Sequence, residues 1–108
     1  MADIHSRNPA TGQVVASFPE ATTEQIDDAI VRSRHIQKKW GALRYSERAQ
    51  YLLRLRNLIL ERFDDLAGLI CEENGKPQAE AVAADLFPVL DLITLYTDKA
   101  ERWLRPER

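Results

Sequence analysis

Leu86-Phe87-Pro88-Val89-Leu90-Asp91-Leu92-Ile93-Thr94-Leu95-Tyr96 is the stretch on which the fold turns. Eight of its eleven residues are Leu, Phe, Val, Ile or Tyr. Set on a helix at about 100° per residue, they leave no arc free of apolar groups wider than about 80°. A helix apolar all round is covered on every side or spans a bilayer. Asp91, Pro88 and the short length exclude the span. The segment therefore needs a packed layer on each face. A second broad stripe, Leu52, Leu53, Leu55, Leu58, Ile59 and Leu60, makes the same demand.

The remaining elements are too few to meet it. Ser6-Arg7-Asn8-Pro9-Ala10-Thr11-Gly12-Gln13 is a turn cluster, with Pro fixing φ and Gly free to take positive φ. Val14 to Phe18 follow as a short extended run ending at Pro19, and a weaker strand around Asp3 to Ser6 completes a hairpin over residues 1–21. Thr22-Thr23-Glu24-Gln25 fits a capping box opening a helix over 22–40. Ile26, Ala29, Ile30, Ser33, Ile36 or Gln37, and Trp40 recur at spacings of three and four, and Gly41 is the expected stop. Ser46 is the expected cap of a second helix over 46–74, with a break near Phe63 that Asp64-Asp65 would cap and an end at Asn74-Gly75 before Pro77. A third helical segment covers 78–103, kinked or divided by Pro88, with Asp85 placed to cap its second half. The fold expected is mainly α with an N-terminal β-hairpin. Either an oligomer covers the apolar excess, or a further layer of the same polypeptide does, and the second is favoured.

Composition narrows the function. The chain has 108 residues, with 17 Asp and Glu against 15 Lys and Arg. That near balance lacks the basic footprint of a nucleic-acid binder. A compact chain of this size would bury about 65% of its extended surface, so a core is possible. One Cys and two His cannot make an internal disulfide or a structural zinc site. No basic start followed by an apolar run marks a secretory signal, so a reduced, cytoplasmic setting is expected.

Several of these segments together resemble the aldehyde dehydrogenase superfamily. Asn8-Pro9-Ala10-Thr11-Gly12-Gln13-Val14-Val15 is similar to its Asn-Pro-x-Thr-Gly-Glu-Val opening. A Thr-capped helix ending near Trp40, Ser46-x-Arg48-Ala49 before a Leu-rich helix, and Glu72-Glu73-Asn74-Gly75-Lys76-Pro77, like the family's Glu-x-Gly-Lys-Pro signature, follow in the family's order. Tyr96, Ala100 and Trp103 resemble its aromatic-rich helix. The resemblance implies that residues 1–108 are the N-terminal segment of an NAD(P)-dependent enzyme that oxidises an aldehyde to a carboxylic acid. The segment would be a fragment of the family's α/β, Rossmann-type cofactor-binding domain, packed against the remainder of the parent polypeptide. The catalytic and oligomerisation domains would lie outside it. The family's chemistry uses a Cys thiolate nucleophile, a Glu-activated water and hydride transfer to NAD or NADP.

None of those motifs is recognisable here. Gly12, Gly41, Gly68 and Gly75 are isolated, so no phosphate loop is present, and neither a Glu-Leu-Gly-Gly nor a Gly-Gln-x-Cys segment occurs. Catalytic residues and cofactor are expected to be none in this chain, which alone would be inactive. The alternative is a stand-alone helical interaction module derived from the family, associating through its exposed apolar helices. Cys71 lies in a Leu-rich helix beside Glu72 and Glu73, which oppose a thiolate, and is read as packing. His5 and His35 are read as surface residues, Trp40 and Trp103 as helix-end anchors, and Lys76 as a turn residue. Two site assignments follow from the resemblance: Glu73 as a ligand to a monovalent cation, and Ala84, Phe87 and Pro88 as lining of a substrate tunnel with an apolar mouth. Neither nucleic acid nor membrane is an expected partner.

Overall fold

The computed structural model describes residues 3–105. Strand β1 (Asp3–Arg7) pairs antiparallel with β2 (Val14–Pro19), from Asp3 opposite Pro19 to Arg7 opposite Val14, with an irregularity between Ser6 and Arg7. The turn between them is self-bonded. Asn8 Oδ1 accepts from the Ala10 and Thr11 amides at 2.9 and 3.3 Å, and the Gly12 amide donates to the Asn8 carbonyl at 2.7 Å. Gly12 takes φ 72°, the left-handed value such a closure requires.

Helix α1 (Thr23–Ala42) opens with the expected capping box: Thr22 Oγ1 accepts from the Gln25 amide at 3.3 Å, and Gln25 Oε1 from the Thr22 amide at 2.9 Å. It does not stop at Gly41. One more residue stays helical, and the Leu43 amide closes on the Trp40 carbonyl at 3.2 Å. Helix α2 (Tyr45–Glu61) likewise begins before Ser46. Arg44 is its N-cap, and the Glu47 carboxylate accepts the Arg44 amide at 2.8 Å, making the hydroxyl cap unnecessary. That amide, with the Arg44 guanidinium, holds Glu47 below the ordinary carboxylate value. The break near Phe63 falls at Arg62, whose φ of −108° and ψ of 23° separate α2 from α3 (Phe63–Asn74). Asp64 and Asp65 sit inside the first turn of α3, facing its dipole, rather than capping it.

A short helix α4 (Gln78–Glu80) runs through a π-helical turn (Ala81–Leu86) into α5 (Phe87–Trp103). Pro88 has no amide to donate, and in an α-helix its ring would press on the carbonyl four residues back. The wider turn takes up that conflict: the Phe87 amide reaches the Val82 carbonyl, five residues back. Asp85 therefore lies within the π turn and does not cap α5.

Helix α2 packs along α5, and α3 packs on the π turn and on β1. The core is small. Among the described residues Ala67 and Ala81 are fully enclosed, and Leu86 and Leu90 nearly so. Arg56 crosses the α2–α5 seam to donate to Thr94 Oγ1 at 3.3 Å. Helix α1 buries no residue and touches the body where Trp40 meets Tyr51 edge-on, centroids 5.3 Å apart.

The dimensions measure what is uncovered. The radius of gyration is 18.3 Å, against about 13 Å for a compact chain of this length. The accessible surface is 8802 Å², about 2,700 Å² more than a folded monomer of this mass exposes. Phe87, Val89, Leu92, Leu95 and Tyr96, all in the opening stretch, remain about half exposed. Among the described residues, no helix is long and apolar enough to cross a membrane.

Candidate functional site

Three turns converge at one end of the body, and each follows from local chemistry. The Asn8–Gln13 turn lies against the end of α3, where Gly75 takes φ 69° and its amide donates to the Cys71 carbonyl at 2.8 Å. Ser6 Oγ donates to Glu73 Oε1 at 3.0 Å, tying the hairpin to that end. A Cβ on Gly75 would stand 2.8 Å from Pro9 Cγ, so the two turns are in close contact. Beyond Gly75, Lys76 Nζ donates to Asp85 Oδ2 at 2.7 Å, bridging the turn to the π-helical segment. Sequence reasoning placed Lys76 in a turn but missed this partner. Nine residues separate the two, and no local spacing rule joins a turn lysine to a carboxylate that far along the chain.

The Asp85 carboxylate raises the Lys76 ammonium above its ordinary 10.5, with smaller contributions from the nearby Glu80 and Cys71. A group whose pKa is raised on folding contributes stability below its unfolded value and loses it as pH climbs through the folded one. Stability should therefore fall as pH rises past lysine's ordinary 10.5. In Asp85→Asn the fall should be smaller, read as urea midpoints of the two proteins across that range. Equal falls would show that the pair contributes nothing.

The sequence-nominated residues stand as follows. Glu73 sits at the hairpin contact, with Oε1 engaged by Ser6. Ala84, Phe87 and Pro88 are all exposed, on the π turn and the start of α5, and the Phe87 ring lies 5.9 Å from that of Phe63. Glu73 and this trio belong to different segments, and no hydrogen bond links them. Cys71 is half-buried. His5 Nδ1 meets Ser17 Oγ at 2.8 Å across the hairpin, and His35 is exposed on α1. Trp103 stands against Tyr96 edge-on at 6.1 Å and is itself half exposed. Among the described residues no three His, Cys, Asp or Glu side chains gather to hold a metal ion.

Sequence reasoning also missed a cleft of about 330 Å³ between the end of α1, the start of α2 and the end of α5. Trp40, Leu52 and Tyr96 line it, with Arg48 beside them. The Arg48 guanidinium stacks 4.5 Å from the Tyr45 ring centroid, and its buried Nε has no hydrogen-bond partner.

The turn at Asn8, the Asn74-Gly75-Lys76-Pro77 turn and the helices between them lie within one matched region. The model of the aldehyde dehydrogenase family matches residues 2–108. The chain belongs to the aldehyde dehydrogenase family. An aldehyde dehydrogenase needs a nicotinamide nucleotide, and the residues present do not fit its pyrophosphate. Gly12 and Gly75, the two glycines with positive φ, sit in a hairpin turn and at a helix C-terminus, not between a strand and a helix N-terminus. No step through the nucleotide is assigned to these residues.

Proposed function

We propose that this chain serves an NAD(P)-dependent oxidation of aldehyde to carboxylic acid as the N-terminal layer of the enzyme, with the reacting groups supplied by the remainder of the polypeptide. The single observation that carries this reading is the uncovered apolar surface of α2 and α5 in a chain of this family. The chain as a whole exposes about 2,700 Å² more than a folded monomer of its mass, and the half-exposed apolar side chains of α2 and α5 contribute part of that excess. Leu55, Leu58, Leu92 and Leu95, half exposed here, are the side chains such a layer would cover.

On this reading the hairpin, α3 and the π turn form a rigid edge, and Ala84, Phe87 and Pro88 border the route by which the aldehyde arrives. Their apolar character suits uncharged aldehydes, aromatic or of medium chain length. Glu73 contributes a carboxylate oxygen to a monovalent cation whose other oxygens come from elsewhere in the enzyme, a hard donor for a hard ion. The setting is cytoplasmic.

The purified 108-residue chain, assayed with aldehyde and either NAD or NADP, should form no reduced nucleotide. Mixed with an aldehyde dehydrogenase polypeptide lacking the corresponding segment, it should restore turnover. Aldehyde oxidation by the chain alone would overturn the proposal.

A further inference from the structure

We propose that α1 is a self-pairing helix, binding α1 of a second copy of this chain antiparallel. The surface concerned is distinct from the α2–α5 face, and the inference does not rest on the proposed activity. Helix α1 is 20 residues long, about 30 Å, and buries none of them. Among the described residues no other element lines the α1 face that carries Ala29, Arg32, Ser33, Ile36 and Gln37, and only Trp40, at its end, meets Tyr51 of α2. Ile26, Ile30 and Ile36 are each about half exposed along this face.

The spacing and the charge order choose the occupant. Ile26, Ile30, Ser33, Gln37 and Trp40 alternate by four and three, the seam of a two-stranded helical pair. In an antiparallel pair with Ile30 opposite Ser33 and Ile26 opposite Gln37, like flanks face one another. On one flank Ala29 then meets Ile36, which widens the apolar contact. On the other, Asp27 comes within about 3 Å, along the axis, of Arg34 of the second copy, and the two-fold repeats the pair. A parallel pair would instead set Arg34 against Ala29 and Asp27 against Thr22, so neither ion pair would form. Asp28, Arg32, Lys38 and Lys39 lie outside these flanks, and the acidic start and basic end of the helix favour the same antiparallel sense. Among the described residues Asp27 and Arg34 form no ion pair. The seam is short, and Ser33 and Gln37 weaken it, so the association is a modest one that depends on protein concentration.

Sedimentation equilibrium of the 108-residue chain tests this, with far-UV circular dichroism confirming helix content in each variant. The wild-type chain should form dimers. Asp27→Arg alone and Arg34→Asp alone should each weaken dimerisation by about tenfold, because each turns both ion pairs into like-charge contacts. An equimolar mixture of the two variants should recover it, since every contact across the mixed dimer is then opposite in charge. Leu92→Glu, on α5, should leave it unchanged. A monomeric wild type, unaffected single variants, failure of the mixture to recover, or loss of association in Leu92→Glu would each overturn the proposal.

Discussion

Leu90→Ala should remove most of the stability of the helical body, a loss of about 3 kcal/mol, and Leu86→Ala should do nearly the same. Both side chains are less than a tenth exposed, and with Ala67 and Ala81 they are the whole enclosed core among the described residues. Truncating a buried leucine costs its transfer free energy and leaves a cavity that rigid neighbours only partly fill. An ordinary domain has about 5–15 kcal/mol in reserve, and a chain this open starts at or below the lower end of that range. Leu92→Ala is the control. Leu92 lies two residues along the same helix but is half exposed, and its loss should cost within about 0.5 kcal/mol. Urea unfolding followed by circular dichroism would separate the three. If Leu92→Ala costs as much as Leu90→Ala, then α5 is covered in solution on a face that the isolated chain leaves open.

That contrast shows what the sequence carried and what it withheld. The period of Leu86 to Tyr96 puts apolar groups on every side of α5, and Phe87, Leu92 and Tyr96 are about half exposed there. The hairpin, the Thr22 capping box and the break at Arg62 were legible because each rests on contacts within a few residues. The start of α2 was not, because Ser46 is a better cap by type than Arg44, and the outcome depended on Glu47 reaching back to the Arg44 amide. Asp85 was misplaced for a related reason. Reading it as a cap assumed an α-helical turn before Pro88, whereas the π turn shifts the register and turns the carboxylate toward Lys76. At the candidate site, Glu73 and Gly75 could be singled out from their own motif. Their partners Ser6 and Pro9 lie more than sixty residues earlier, and no local pattern announces a contact at that separation.

Gly75→Ala should be the most damaging single change outside the core, costing about 3 kcal/mol against about 1 kcal/mol for Gly12→Ala. Both glycines hold nearly the same left-handed backbone, φ 69° and 72°, so the conformational penalty for a β-carbon is common to the two. Their surroundings differ. Nothing lies within 4 Å of a Cβ built on Gly12, whereas on Gly75 it would meet Pro9 Cγ at 2.8 Å. The proline ring is held in a turn whose amides are already bonded to Asn8, so it cannot swing clear without the turn opening. Relief must come from the hairpin moving off α3, which breaks the Ser6–Glu73 hydrogen bond and the packing of β1 on α3. A two-stranded hairpin is marginal on its own, so once undocked it should melt. Amide hydrogen exchange of Gly75→Ala should therefore show lost protection across β1 and β2 while α2 and α5 stay protected. Gly75→Asn separates the two causes. Asparagine tolerates the left-handed backbone yet still carries a β-carbon, so it should lose hairpin protection almost as fully as alanine does. If Gly75→Asn kept its protection, backbone strain and not the approach of Pro9 would be what glycine relieves at this position.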